Sequence, residues 1–101
     1  MATGGKREEI DAKIKGWERD MEQLRLALAR APESVHAEYQ TRFVEVYRAK
    51  EIVKSRWEMI RGVYRPEPLA IQRFEEALAA MEGAWTGARA MFTDVVKPQA
   101  A

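Results

Sequence analysis

Apolar side chains recur at alternating steps of three and four residues through nearly the whole chain, a spacing that lines up one face of an α-helix for packing against another helix. The first run is Ile10, Ile14, Trp17, Met21, Leu24, Leu28 and Ala31. The second is His36, Tyr39, Phe43, Val46, Lys50, Val53, Trp57, Ile60 and Tyr64, and the third is Ile71, Phe74, Leu78, Met81, Trp85, Ala88, Phe92 and Val95. A lone helix leaves such a seam in water. The chain must therefore fold the seams onto each other or share them with other copies.

The phase fails at two places. Carried beyond Ala31 in strict register, the first seam reaches Val35, Glu38, Arg42 and Glu45, so it breaks near Pro32. Proline suits the first turn of a helix but disfavours helical geometry at the preceding residue, which makes ARAPES a short connection. The second break, GVYRPEPL, ends one helix near Gly62 and opens the next at Pro68. The expected elements are helices over 6–31, 34–63 and 68–96 with frayed termini, in a single domain spanning 1–101. Short connections make successive helices antiparallel. The expected fold is thus all-α, an antiparallel three-helix bundle with left-handed coiled-coil packing. The alternative is that Pro32 only kinks one long helix, which then forms a hairpin with the shorter third helix and hides its seam by oligomerising.

Folding about these turns sets Ile10 opposite Trp57, Ile14 opposite Val53 and Trp17 opposite Lys50. Across the second turn, Trp57 meets Phe74, Lys50 meets Met81, Val46 meets Trp85, Phe43 meets Ala88 and Tyr39 meets Phe92. The largest side chain of the third helix faces a small one and the smallest faces a bulky one, as close packing requires. Lys50 interrupts its seam. Its stem is expected to lie on the Trp17 indole with the ammonium directed outward, and the pair is expected to set the register, since a polar seam residue disfavours shifted alignments.

Composition narrows the possible functions. Of 101 residues, 47% are hydrophobic and 33% charged, too apolar for disorder and too charged for a membrane span. The formal charge of +1 lacks the basic excess that accompanies phosphate-backbone binding, so nucleic acid is not an expected partner. There is no cysteine, so neither a disulfide framework nor a thiolate metal site is available and the redox compartment is not legible. The opening MATGGKREE has no apolar h-region, so a cytoplasmic protein is expected.

Chemistry-bearing residues are few. Glu33 and His36 form an E-x-x-H pair of the kind that ligates metal in di-iron bundles, but further inward carboxylates and a second motif are missing, so neither a metal nor a cofactor is expected. Ser34 and Ser55 have no histidine at a suggestive spacing, and no phosphate-binding glycine loop occurs, so no catalytic residue is assigned and no enzymatic activity is expected. Gly83 and Gly87 form G-x-x-x-G on a helix rich in alanine, which would let another helix approach closely. The second helix carries another apolar row, Ala49, Ile52, Met59 and Val63. It is either the wide face of a middle helix with two neighbours or an interaction surface, and Ile52, Met59 and Val63 are the candidate contact residues. The tail AWTGARAMFTDVVK is apolar on one side without a Lys/Arg cluster, so a lipid or polymer surface is a less favoured partner than another protein chain.

The stretches KIKGWERDMEQL, AEYQTRFVEVYRAKEIVKSRWEMI and AWTGARAMFTDVV, about half the chain, resemble a family of small bacterial coiled-coil proteins, uncharacterised or described as stress-response proteins. The resemblance implies a stress-related role and supplies no catalytic residues. The RPEPLA turn and the sparser Lys and Glu pairs depart from the family pattern. The expectation is a homo-oligomeric protein that acts by protein–protein contact. The alternative is a surface-coating protein resembling phasins or exchangeable apolipoproteins.

Overall fold

A computed structural model describes the backbone of residues 2–96 and the side chains of residues 7–91. The chain forms helices α1 (Ala2–Arg30), α2 (Glu33–Ile60) and α3 (Pro68–Val96), packed as an all-α three-helix bundle, with no strand among the described residues. Contacts between helices fix the topology. Lys54 of α2 and Arg61, which caps its C-terminus, pair with Glu18 and Asp11 of α1, descending one helix while ascending the other, so α1 and α2 are antiparallel. Likewise Trp57 meets Phe74 with ring centroids 5.1 Å apart, and Arg42 reaches Gly87, which makes α2 and α3 antiparallel.

The first reversal takes only Ala31 and Pro32. The Ala31 N–H donates to the Leu28 carbonyl at 3.1 Å, Pro32 is extended (φ −60°, ψ 146°), and the Val35 N–H donates to the Pro32 carbonyl at 3.0 Å as α2 begins. Pro32 is therefore a turn residue and not a kink in one long helix. The second reversal starts earlier than its glycine suggests: α2 stops at Ile60, not 63. Arg61 donates back to the Trp57 carbonyl at 2.8 Å, and the Val63 N–H reaches only the Ile60 carbonyl at 3.2 Å, a tightened last turn. Gly62 does not adopt a left-handed φ, so α2 ends without a glycine cap, and Pro66 and Pro68 keep Arg65 and Glu67 from resuming the helix before α3. At the other end α1 begins at Ala2, so residues 2–5 are helical where fraying was expected, and α2 begins at Glu33, one residue before the expected 34. Residues 97–101 lie outside the described residues.

Ile14, Trp17, Met21, Leu24, Val46, Val53, Trp57, Ile60, Phe74, Met81 and Ala88 are buried where the seams place them. The seams fail at their margins. Ala27 and Ala77 are more deeply buried than their seam neighbours Leu28 and Leu78, because a straight helix of 3.6 residues per turn drifts from a strict seven-residue repeat. Tyr64 and Ile71, assigned to seams, are exposed, since both lie at or beyond the second turn. The Tyr39–Phe92 pairing and the tail residues Phe92, Val95 and Val96 involve side chains outside the described residues.

The backbones of α2 and α3 approach each other most extensively, and α1 stands further off. Side-chain size accounts for this difference. Ala77, Ala84 and Ala88 lie on the α3 side of the core, whereas α1 presents Trp17, Met21 and Leu24. Of the two glycines in α3, Gly87 abuts Arg42, while Gly83 faces open space, so G-x-x-x-G is not a single close-approach surface here.

Candidate interaction surface

Lys50 is 6% exposed, and its ammonium stands 3.0 Å from Glu51 and 4.8 Å from the centre of the Tyr47 ring. The ammonium thus lies over the Tyr47 ring rather than over the Trp17 indole. Trp17 is buried and its ring is approached by Lys13, at 5.7 Å. The reason is directional: an α-helical side chain long enough to escape the core leans over its own preceding turn, which brings Lys50 above Tyr47, three residues earlier.

A ladder of polar ties holds α1 to its neighbours. The Trp57 indole N–H donates to Asp11 Oδ1 at 2.7 Å, Arg61 donates to both Asp11 oxygens (Nη2 to Oδ2, 2.6 Å), Lys54 donates to Glu18 at 2.6 Å and Lys13 to Glu82 at 2.6 Å. The Arg61 hydrogen bond, seconded by that of Trp57, holds the Asp11 carboxyl below the usual aspartate range. The hydrogen bond from Lys54 does the same for Glu18, and reciprocally raises the Lys54 ammonium. No buried side-chain nitrogen or oxygen among the described residues lacks a partner.

Ile52, Met59 and Val63 lie outside the core, exposed by 49%, 61% and 46%. They are not the buried flank of a middle helix. Tyr64 in the α2–α3 turn and Leu69 and Ile71 at the start of α3 are exposed as well. Beside them opens a cleft of about 380 Å³ with a floor of Ile10, Trp57, Ile60 and Phe74 and walls that include Val63, Tyr64, Pro66 and Ile71. Arg7, Arg61 and Glu75 line the same cleft. The seam pattern missed this feature because it carried Tyr64 and Ile71 into the core. The signal available was RPEP itself, which makes continued helical phase implausible on either side.

Glu33 is exposed and His36 half-buried beside the first turn, and among the described residues no three His, Cys, Asp or Glu side chains converge as metal ligands would. Among the same residues, no helix is long and apolar enough to cross a membrane. Comparison with protein-family models, with curated proteins and with solved structures returned no match for this chain.

Proposed function

We propose that this chain is a non-enzymatic helical-bundle protein that works by protein–protein contact, beginning with its own self-association, through the apolar row of Ile52, Met59 and Val63. One observation carries the reading: these side chains stay in water although the bundle has an otherwise complete apolar core. Large apolar residues left contiguous on a surface favour burial against another macromolecule. The family resemblance read from the sequence adds a stress-related setting to the proposal, and the opening MATGGKREE, without an apolar h-region, adds a cytoplasmic one. Replacing Ile52 and Met59 together by glutamate tests it. The expected result by light scattering is loss of the oligomer with helicity unchanged in circular dichroism; an oligomer that survives the double substitution rejects the row as the interface.

A second reading, a surface-coating protein, draws support from the way α1 is held. Its polar cross-helix ties beyond the Trp57–Asp11 hydrogen bond are partly exposed ion pairs, which are weak in salt, so an apolar surface that replaces the buried contacts of Ile14, Trp17, Met21 and Leu24 would meet little polar resistance to opening the bundle. Co-sedimentation with liposomes or polymer granules, together with a shift in the emission of Trp17, Trp57 and Trp85, is the expected result of that mode of action. An unchanged emission spectrum and no co-sedimentation would eliminate it.

A further inference from the structure

The α2–α3 end of the bundle carries a projection and a recess side by side. Tyr64 is 90% exposed, its phenol ring touched on one side by the Arg65 guanidinium at 5.6 Å. It stands on the rim of the cleft floored by Trp57, Ile60 and Phe74, as part of one wall. An aromatic ring so fully in water contributes almost nothing to the packing of its own chain, whereas tyrosine is among the residues that most strengthen interfaces once desolvated. We infer that this end is a two-fold homodimer surface in which Tyr64 of each copy enters the cleft of the other.

Three observations select a second copy as the occupant. A two-fold contact requires that one patch hold both halves of the fit, and here projection and recess share a patch. The size is adequate: an enclosed cavity of about 150 Å³ accepts a benzene, and this cleft measures about 380 Å³. The chemistry is complementary as well. A buried tyrosine hydroxyl needs a partner, and Glu75 and Arg7 line the recess to supply an acceptor and a donor. In the lining Arg7 and Glu75 carry opposite charges and Arg61 is balanced by Asp11, so two copies meet without net repulsion. Met59, Leu69 and Ile71, exposed around the same end, extend the apolar contact beyond the ring. The proposal rests on the self-association proposed above and names its contact.

Sedimentation equilibrium of the full chain over a wide concentration range tests this, with thermal unfolding measured on the same samples. The expected result is a dimer that does not grow further, with a Tm that rises with protein concentration. Tyr64→Ala and, separately, Ile71→Arg are expected to weaken dimerisation about tenfold or more. Circular dichroism of the Tyr64→Ala chain should be unchanged, because the ring is exposed in the single chain and its loss does not unfold it. A dimer indifferent to Tyr64→Ala overturns this inference and leaves the self-association reading to the Ile52 and Met59 test. A wild-type chain that stays monomeric throughout overturns both. Open-ended assembly beyond two copies overturns the two-fold contact.

Discussion

Lys50 shows how a charge can occupy a core position in a small bundle. At 6% exposure its stem occupies seam volume, while its ammonium is satisfied by Glu51 and the Tyr47 ring. Removing the charge while keeping the volume separates these two contributions. Lys50→Met is expected to raise unfolding free energy by about 0.5–1 kcal/mol, because an apolar isostere avoids the cost of desolvating an ion. A urea titration should show the midpoint rising at constant slope; a fall would mean that the Glu51 and Tyr47 contacts outweigh that cost. Trp57 makes the complementary case. Its ring packs on Phe74 while its N–H donates to Asp11. Trp57→Phe keeps most of the apolar area and deletes the donor, with an expected loss of about 1–2 kcal/mol. The same loss in an Asp11→Leu background, which offers no acceptor, would show that the hydrogen bond is not its source.

Among the elements, the seam period was sufficient to place the helices and most of the core in the sequence. It worked where packing is three-sided, at Trp17, Val53 and Met81, because there a buried position has no choice of partner. It failed at Tyr64, where the turn has ended the helix and periodicity has no meaning, and at Ile71, in the first turn of α3, where the helix is regular but the bundle end leaves the seam position exposed; and it could not aim Lys50, whose contact depends on rotamer direction as well as spacing. The cleft was not legible, because it is assembled from α1, α2, the turn and α3 together. What spacing leaves entirely unread is how firmly each helix is held, and α1 is the informative case. Asp11 and Glu18 have lowered folded-state pKa values, from Arg61 and Lys54 respectively. Their contribution is therefore fully present above the unfolded values of about 3.9 and 4.3 and is lost as pH falls through the lower folded values. Lys54, raised by Glu18, contributes fully below its unfolded value of about 10.4 and loses that contribution as pH rises through the folded one. Since these groups are partly exposed, each effect is modest and screened by salt. On acidification below about pH 4, hydrogen-exchange protection in α1 is expected to fall before that of α2 and α3. The Asp11→Asn, Glu18→Gln double variant should flatten the dependence. Simultaneous loss in all three helices would show that α1 has no separate stability.

At the scale of the whole molecule, one dipeptide decides whether α1 returns to its own chain. Between Arg30 and Glu33 stand only Ala31 and Pro32, and the flanking LALAR and ESVHAEY are both helical. Proline disfavours an uninterrupted helix by roughly 3 kcal/mol relative to alanine, and it restricts Ala31 as well. Pro32→Ala removes both obstacles and leaves a run of good helix formers through the turn. The closed bundle keeps its packing but now competes with a continuous α1–α2 rod. That rod, residues 2–60, would measure about 88 Å at the rise of an α-helix, against a longest extent of 49 Å for the bundle. A rod exposes the α1 seam unless a second copy supplies α2 and α3, so the straightened chain is expected as an exchanged dimer preserving every contact of Trp17, Met21 and Leu24. Small-angle scattering on Pro32→Ala, made in the Tyr64→Ala background so that end-to-end contact adds no length, should show a longer particle of doubled mass with unchanged helicity. If mass and length match those of the single-substituted parent, the reversal is enforced by core packing and the proline only makes the turn tidy.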